Sequence, residues 1–176
     1  MENGFLKRER SIKLYVREVN KSMTLYFAFG LTLDPARMSD LCPNAKRIQI
    51  GRLPRHRLVI LPGGQTSIAR DPRHEVIGIV FDVPLSEMTI LDRQAGKAQK
   101  INQPIILPGG AKRALLHVAQ GAGGAPSPSD RQLLAKAARA AGLPEHYVYE
   151  IEHGEPAPRK PGTPIFKAPV TSLNRG

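Results

Sequence analysis

At 176 residues and 19.3 kDa the chain is one ordinary domain, or one domain with loose ends, and is long enough to bury a sizeable core. A hydrophobic content of 41% with 16 glycines excludes wholesale disorder, and the single cysteine, Cys42, excludes an internal disulfide framework and a multi-cysteine zinc site. Twenty-six basic residues against 15 acidic ones give +11, which raises nucleic-acid and anionic-membrane readings.

In chain order, residues 1–23 read as a charged N-terminal extension. Lys7, Arg8, Arg10, Lys13, Arg17 and Lys21 are spread through it, so no apolar signal-peptide core forms. The segment reads as a solvated, partly helical arm, or as residues upstream of a start at Met23. Leu25–Phe29 is a short apolar run closed by Gly30, which suits a buried strand. Asp34-Pro35 then offers a cap and a first helical residue, with Ala36–Leu41 as one or two helical turns before Pro43. Ile48–Leu53, Arg57–Leu61 and Gln65–Ala69 read as three strands, the second stopped by Pro62-Gly63-Gly64 and the third by Asp71-Pro72.

Val76–Val83 is the clearest strand. Pro84–Asp92 reads as a helix with Leu85, Met88 and Leu91 on one face, which leaves Glu87 to solvent. Ala114–Val118 is a further strand. Ser127–Ala141 is the clearest helix, ended by Gly142, and a second helix runs from Pro144 to about Glu152. Ile-Leu-Pro-Gly-Gly occurs at 60–64 and at 106–110; the flanks differ, so these are two similar turns after strands rather than a duplication. Residues 155–176 carry five prolines and read as a basic, flexible, extended tail. Strands followed by two helices predict a mixed α+β domain over 24–154. No apolar run of about 18 residues occurs, so no helical membrane span is expected.

The charge is unevenly placed. Each end carries a surplus of +3, leaving +5 on the central domain. The domain has one stretch without acidic residues, between Asp40 and Asp71, holding Lys46, Arg47, Arg52, Arg55, Arg57, Arg70 and His56. Few aromatics interleave it, so base stacking has little support. The histidines His56, His74, His117, His146 and His153 form neither an i, i+4 pair nor a His-x-His arrangement, which argues against a metal site. Cys42 before Pro43 has no local nucleophile signature and reads as a half-buried thiol. The Phe27–Leu33 turn can expose several backbone N–H groups towards a carboxylate or a developing oxyanion.

Tyr26-Phe-Ala-Phe-Gly-Leu-Thr-Leu33 resembles the signature loop Y-F-A-Y-G-S-N-L of the γ-glutamylcyclotransferase-like family. Further blocks follow in the family's order. Asp34-Pro-Ala-Arg-Met, Cys42-Pro-Asn-Ala and Gly51–Leu58 resemble the segment after that loop. Glu75–Phe81 is similar to its strand E-V-W-G-V-V-W, and Leu91-Asp-Arg-Gln-Ala-Gly96 to its L-D-x-x-E-G. Ala125–Ser129 and Ala141–Tyr147 are similar to its closing P-S-P…G-L-P-x-x-Y segment.

The resemblance implies a small mixed β-barrel with flanking helices. It also implies conversion of γ-glutamyl amines or peptides into 5-oxoproline and a free amine, without metal or cofactor. In that scheme the substrate's α-amine attacks its own γ-carbonyl, the glutamate of L-D-x-x-E-G takes up the proton, and the signature loop holds the substrate. On this chain the loop and the late tyrosine correspond to Phe29, Gly30, Leu31, Thr32, Leu33 and Tyr147, expected at the substrate. The glutamate's position is Ala95, so no catalytic residue is expected there. Losing a positioned base typically costs about 10²–10⁴ in rate. Asp92 matches the family but reads as a structural residue near the helix end.

Three readings stay open. One is a family-fold protein, inactive or altered in the usual reaction, that keeps a pocket for a small γ-glutamyl-like ligand. The second is an active cyclotransferase or acyl-transfer enzyme using another base. The third is a basic nucleic-acid-binding protein. The chain is expected to be cytoplasmic, a monomer or homodimer, without a membrane partner.

Overall fold

The computed structural model describes residues 22–121 and 125–155. The readings of residues 1–21 and of the proline-rich tail from 156 onward lie outside the described residues. The elements run β1 (Met23–Ala28), a 3-10 turn (Leu31–Leu33), α1 (Pro35–Leu41), β2 (Lys46–Ile60), β3 (Thr66–Pro84), α2 (Leu85–Ala95), β4 (Gln99–Leu107), β5 (Gly110–Val118), α3 (Pro128–Ala140) and α4 (Glu145–His153). The five strands close into a barrel in the order β1-β3-β2-β4-β5. Four seams are antiparallel; β1 and β5 close the fifth in parallel, at Tyr26 and Leu115. The chain is thus an α+β protein with a small mixed barrel and flanking helices. Among the described residues no helix is long and apolar enough to cross a membrane.

Strand periodicity explains why the barrel has two cores. Successive side chains point to opposite faces. Phe27, Leu53, Val76, Val80, Ile105, Leu107, Leu116 and Val118, drawn from all five strands, pack together inside. The alternate residues Tyr26, Ala28, Ile77, Ile79, Phe81 and Val83 pack outward against Leu33, Met38, Met88, Leu91, Leu134, Val148 and Ile151 of the turn and helices. Residues 76–81 are therefore buried on both faces, which is why that stretch reads as a continuous apolar run. Gly78 sits where β3 presses on β1: a Cβ there would collide with the Ala28 carbonyl and the Phe27 ring.

Several elements differ from the sequence expectation. The strands expected at 48–53 and 57–61 are one strand, β2, and those at 65–69 and 76–83 are one strand, β3. Pro54 does not end β2: it is still paired with Glu75, and the register then shifts between Pro54 and His56, with Arg55 at φ 60°. The partner strand moves from Glu75 to Arg70 across that shift, and Asp71 ties the intervening loop by accepting from the Arg73 N–H at 3.1 Å.

Strand β4 is polar at its start and contains Pro104, which hides it from strand patterning; its ladder with β5 supplies the stability. Both Ile-Leu-Pro-Gly-Gly segments are hairpin connections, β2 to β3 and β4 to β5. Leu85 is 41% exposed rather than buried with Met88 and Leu91. Glu87, expected in solvent, is buried: its carboxylate accepts from the Asn44 N–H at 3.2 Å and the Asn44 amide at 2.6 Å. Cys42 is fully rather than half buried, and burial beside Glu87 pushes its thiol up to about 11.

The helix starts follow their caps. Asp34 Oδ1 accepts from the Ala36 N–H at 3.0 Å, with Pro35 in the first turn of α1. Ser127 and Asp130 form a reciprocal capping box at α3, with bonds of 3.1 and 3.0 Å. Asp130 also accepts from the Gly63 N–H at 3.3 Å, which ties the β2–β3 turn to α3.

Candidate functional site

A cavity of about 330 Å³ opens where the end of β1 meets the last turn of α2. One wall is the turn after β1, with Phe29, Gly30, Leu31 and Thr32. Gly30 is required by contact: a Cβ there would strike the Thr66 hydroxyl. The Leu33 N–H bonds to the Gly30 carbonyl at 2.9 Å. The N–H groups of Leu31 and Thr32 come first in the turn and have no acceptor within it. The facing wall is Leu91, Gln94 and Ala95 from α2. Gly63–Thr66 form part of the rim.

The structure brings four of the loop residues singled out in the sequence to one cavity, together with Ala95. It leaves two others outside. Leu33 is buried in the core between barrel and helices. Tyr147 is 3% exposed in that same core, and its hydroxyl has no hydrogen-bond partner among the described residues. Phe29 reaches the cavity at the end of β1 while its ring stacks on Phe27 in the barrel, 6.0 Å between centroids.

The electrostatics are one-sided. Arg37 and Lys97 line the cavity, with Gln65, Gln94 and Gln120, and no Asp or Glu is among the described lining residues. Tyr26 and His117 complete the floor. Burial pushes the Tyr26 phenol up to about 12, opposed by the Thr32 side chain and helped by Cys42 and Asp92. His117 Nε2 lies 2.8 Å from Asp92 Oδ1, and Lys100 Nζ donates to Asp92 Oδ2 at 2.7 Å. Burial raises the Asp92 carboxyl, but the bonds from Lys100 and His117 outweigh it and hold it below its ordinary range. Asp92 is therefore an anchor for His117, inside α2 rather than at its end.

Sequence reasoning weighed His117 only as a metal ligand and missed this pairing. Its one local signal is a histidine inside the otherwise apolar Ala114–Val118 segment. The partnership with Asp92 depends on how α2 packs on β5, which no local pattern encodes. The acid-free basic stretch does not present all its cations freely: Arg47 donates to the Ala141 carbonyl at 2.8 Å, and Arg52 pairs with Glu75 at 3.7 Å.

No protein-family model matches the sequence, and no curated protein matches it. Solved structures do resemble it. One described as a γ-glutamyl cyclotransferase superposes with a TM-score of 0.67 at 24% identity, over 77% of this chain and 90% of that one. An uncharacterized human protein gives 0.66 at 23% identity, over 78% and 91%. YkqA from Bacillus subtilis gives 0.63 at 13% identity, over 76% of this chain and 54% of that one. The chain has the γ-glutamylcyclotransferase-like fold.

Proposed function

We propose that this protein binds a small ligand of the γ-glutamyl type in the cavity beside Gly30. In this reading the glutamate-driven 5-oxoproline-forming reaction is lost or altered. One observation carries it: Ala95, at the position of the family's proton acceptor, lines the cavity opposite the Gly30–Thr32 turn, with no carboxylate among the described lining residues. Arg37 and Lys97 on the wall suit an anionic group on the ligand.

The test compares the native protein with Ala95→Glu against γ-glutamyl amines and dipeptides. Restoring a positioned base raises turnover by about 10²–10⁴. Native turnover equal to that of Ala95→Glu, with both rapid, refutes the reading.

A second reading, an acyl-transfer enzyme with another base, is favoured by His117. It lines the same cavity and is held by Asp92.

A further inference from the structure

His117 is a half-buried polar residue in the apolar end of β5, its side chain 8% exposed. An ionised carboxylate can only accept hydrogen bonds. In the neutral imidazole, the 2.8 Å contact with Asp92 places the proton on Nε2 and leaves a lone pair on Nδ1. That Nδ1 lies 3.4 Å from the Tyr26 hydroxyl, longer than a well-formed hydrogen bond, so its acceptor capacity is not used up. Both side chains line the cavity. The charged and titratable groups around the imidazole are Asp92 from α2, Lys100 from β4 behind it and Tyr26 from β1, with Arg37 and Lys97 on the cavity wall.

We propose that His117 is the proton-transferring residue of this cavity, with Asp92 as its positioning residue, for a ligand carrying an amine within reach of its own acyl carbon. This rests on the γ-glutamyl-type reading above and names the group that stands in for the carboxylate absent at Ala95. A neutral imidazole whose far nitrogen is fixed by a carboxylate is suited to the task, because the carboxylate fixes the tautomer and stabilises the imidazolium once formed.

The step balances. As the ligand's α-amino nitrogen bonds to its γ-carbonyl carbon, one proton passes from that nitrogen to Nδ1. When the tetrahedral intermediate collapses, the bond from that carbon to the leaving nitrogen breaks, and the imidazolium returns the proton to the departing amine. The products are a five-membered lactam and a free amine, with no other reactant consumed.

The test uses the full chain and γ-glutamyl-p-nitroanilide. Binding is measured by calorimetry, turnover by released nitroaniline and by mass detection of the lactam. Native protein is expected to bind and to turn over slowly. His117→Gln keeps binding and loses about 10²–10⁴ of the turnover, and free imidazole restores part of it to His117→Ala. Asp92→Asn lowers kcat more than it changes KM, because the carboxylate that fixes the imidazole's tautomer and stabilises the imidazolium is gone while the cavity wall is unchanged.

Binding without any turnover overturns the proposal and leaves the ligand reading standing. Absence of binding removes both. Turnover retained in His117→Gln, or no rescue of His117→Ala by free imidazole, overturns the role of His117, and a KM change as large as the kcat loss in Asp92→Asn overturns its positioning by Asp92; binding kept by each variant shows that it has folded.

Discussion

Tyr147 offers a clean separation of packing from binding. Its ring is 3% exposed and its hydroxyl lacks a hydrogen-bond partner among the described residues. Burial drives its phenol upward; the Ile77 backbone lies near the hydroxyl without completing a hydrogen bond and offsets this in part, and Glu150 and Glu75 add to the rise. A buried hydroxyl left unsatisfied costs about 1–3 kcal/mol. Tyr147→Phe removes that oxygen and keeps the ring in the core with Leu134, Val148 and Ile151. Allowing for the partial offset at Ile77, the expected gain is about 1 kcal/mol, toward the low end of that range. For a chain of this size that is a rise in Tm of about 2–4 °C.

The assay is urea unfolding, where the midpoint rises at unchanged slope. Affinity for γ-glutamyl-p-nitroanilide is measured in parallel and stays the same, since Tyr147 does not line the cavity. A loss of about 1 kcal/mol or more would mean that the hydroxyl is bonded in solution and that the packing argument is wrong. A loss of affinity of about tenfold, about 1.4 kcal/mol, would return Tyr147 to the ligand.

Two further outcomes follow from the cavity and its rim. Gly30→Ala drives a methyl into the stiff, β-branched Thr66. It is expected to cost about 1–3 kcal/mol and to weaken ligand binding; Thr66→Ala in the same chain restores most of both, and additive losses in a double-mutant cycle would contradict the contact. The second outcome concerns pH. The Asp130 carboxyl is held below its ordinary range by bonds from Ser127 and then from Gly63. A depressed folded value means its contribution is complete above the unfolded value of about 3.9 and disappears as pH falls from there through the lower folded value. Stability measured from pH 6 down to 2 should therefore fall less steeply in Asp130→Asn than in the native chain; parallel curves would deny Asp130 that role.

Much of the fold was legible because its signals are local. Pro35 after Asp34, Ser127 three residues before Asp130, and Gly142 after an alanine-rich run each mark a helix end by a bond or a backbone angle that neighbouring residues set. The doubly buried stretch at 76–81 announces itself by having no polar alternation. What local pattern could not give was continuity and partnership. Pro54 and Asp71-Pro72 look like strand ends, and only the pairing of β2 with β3, which resumes at His56 and Arg70 after a register shift, makes each strand continuous. Glu87 looks like a solvent residue until Asn44 is brought beside it from more than 40 positions away.

In the site, the order of the resembling blocks singles out residues 29–32 and Ala95, and the fold brings these to one cavity. It does not single out His117, because its role lies in a contact with Asp92 across 25 positions. Tyr147 aligned equally well by order, and the fold carried it into a core away from the cavity.

The parallel seam between β1 and β5 has a consequence for how the protein reaches its working state. Tyr26 and His117 are 91 positions apart in the chain, yet both line the cavity beside that seam. Contacts of such separation are slow to form, because the loop-closure entropy is lost before the contact rewards it. The cavity needs that closure: it is absent from any species in which the β4–β5 hairpin is not docked on β1. Ligand binding during refolding would then report barrel closure itself, and a ligand present at that stage would favour the closed form by mass action.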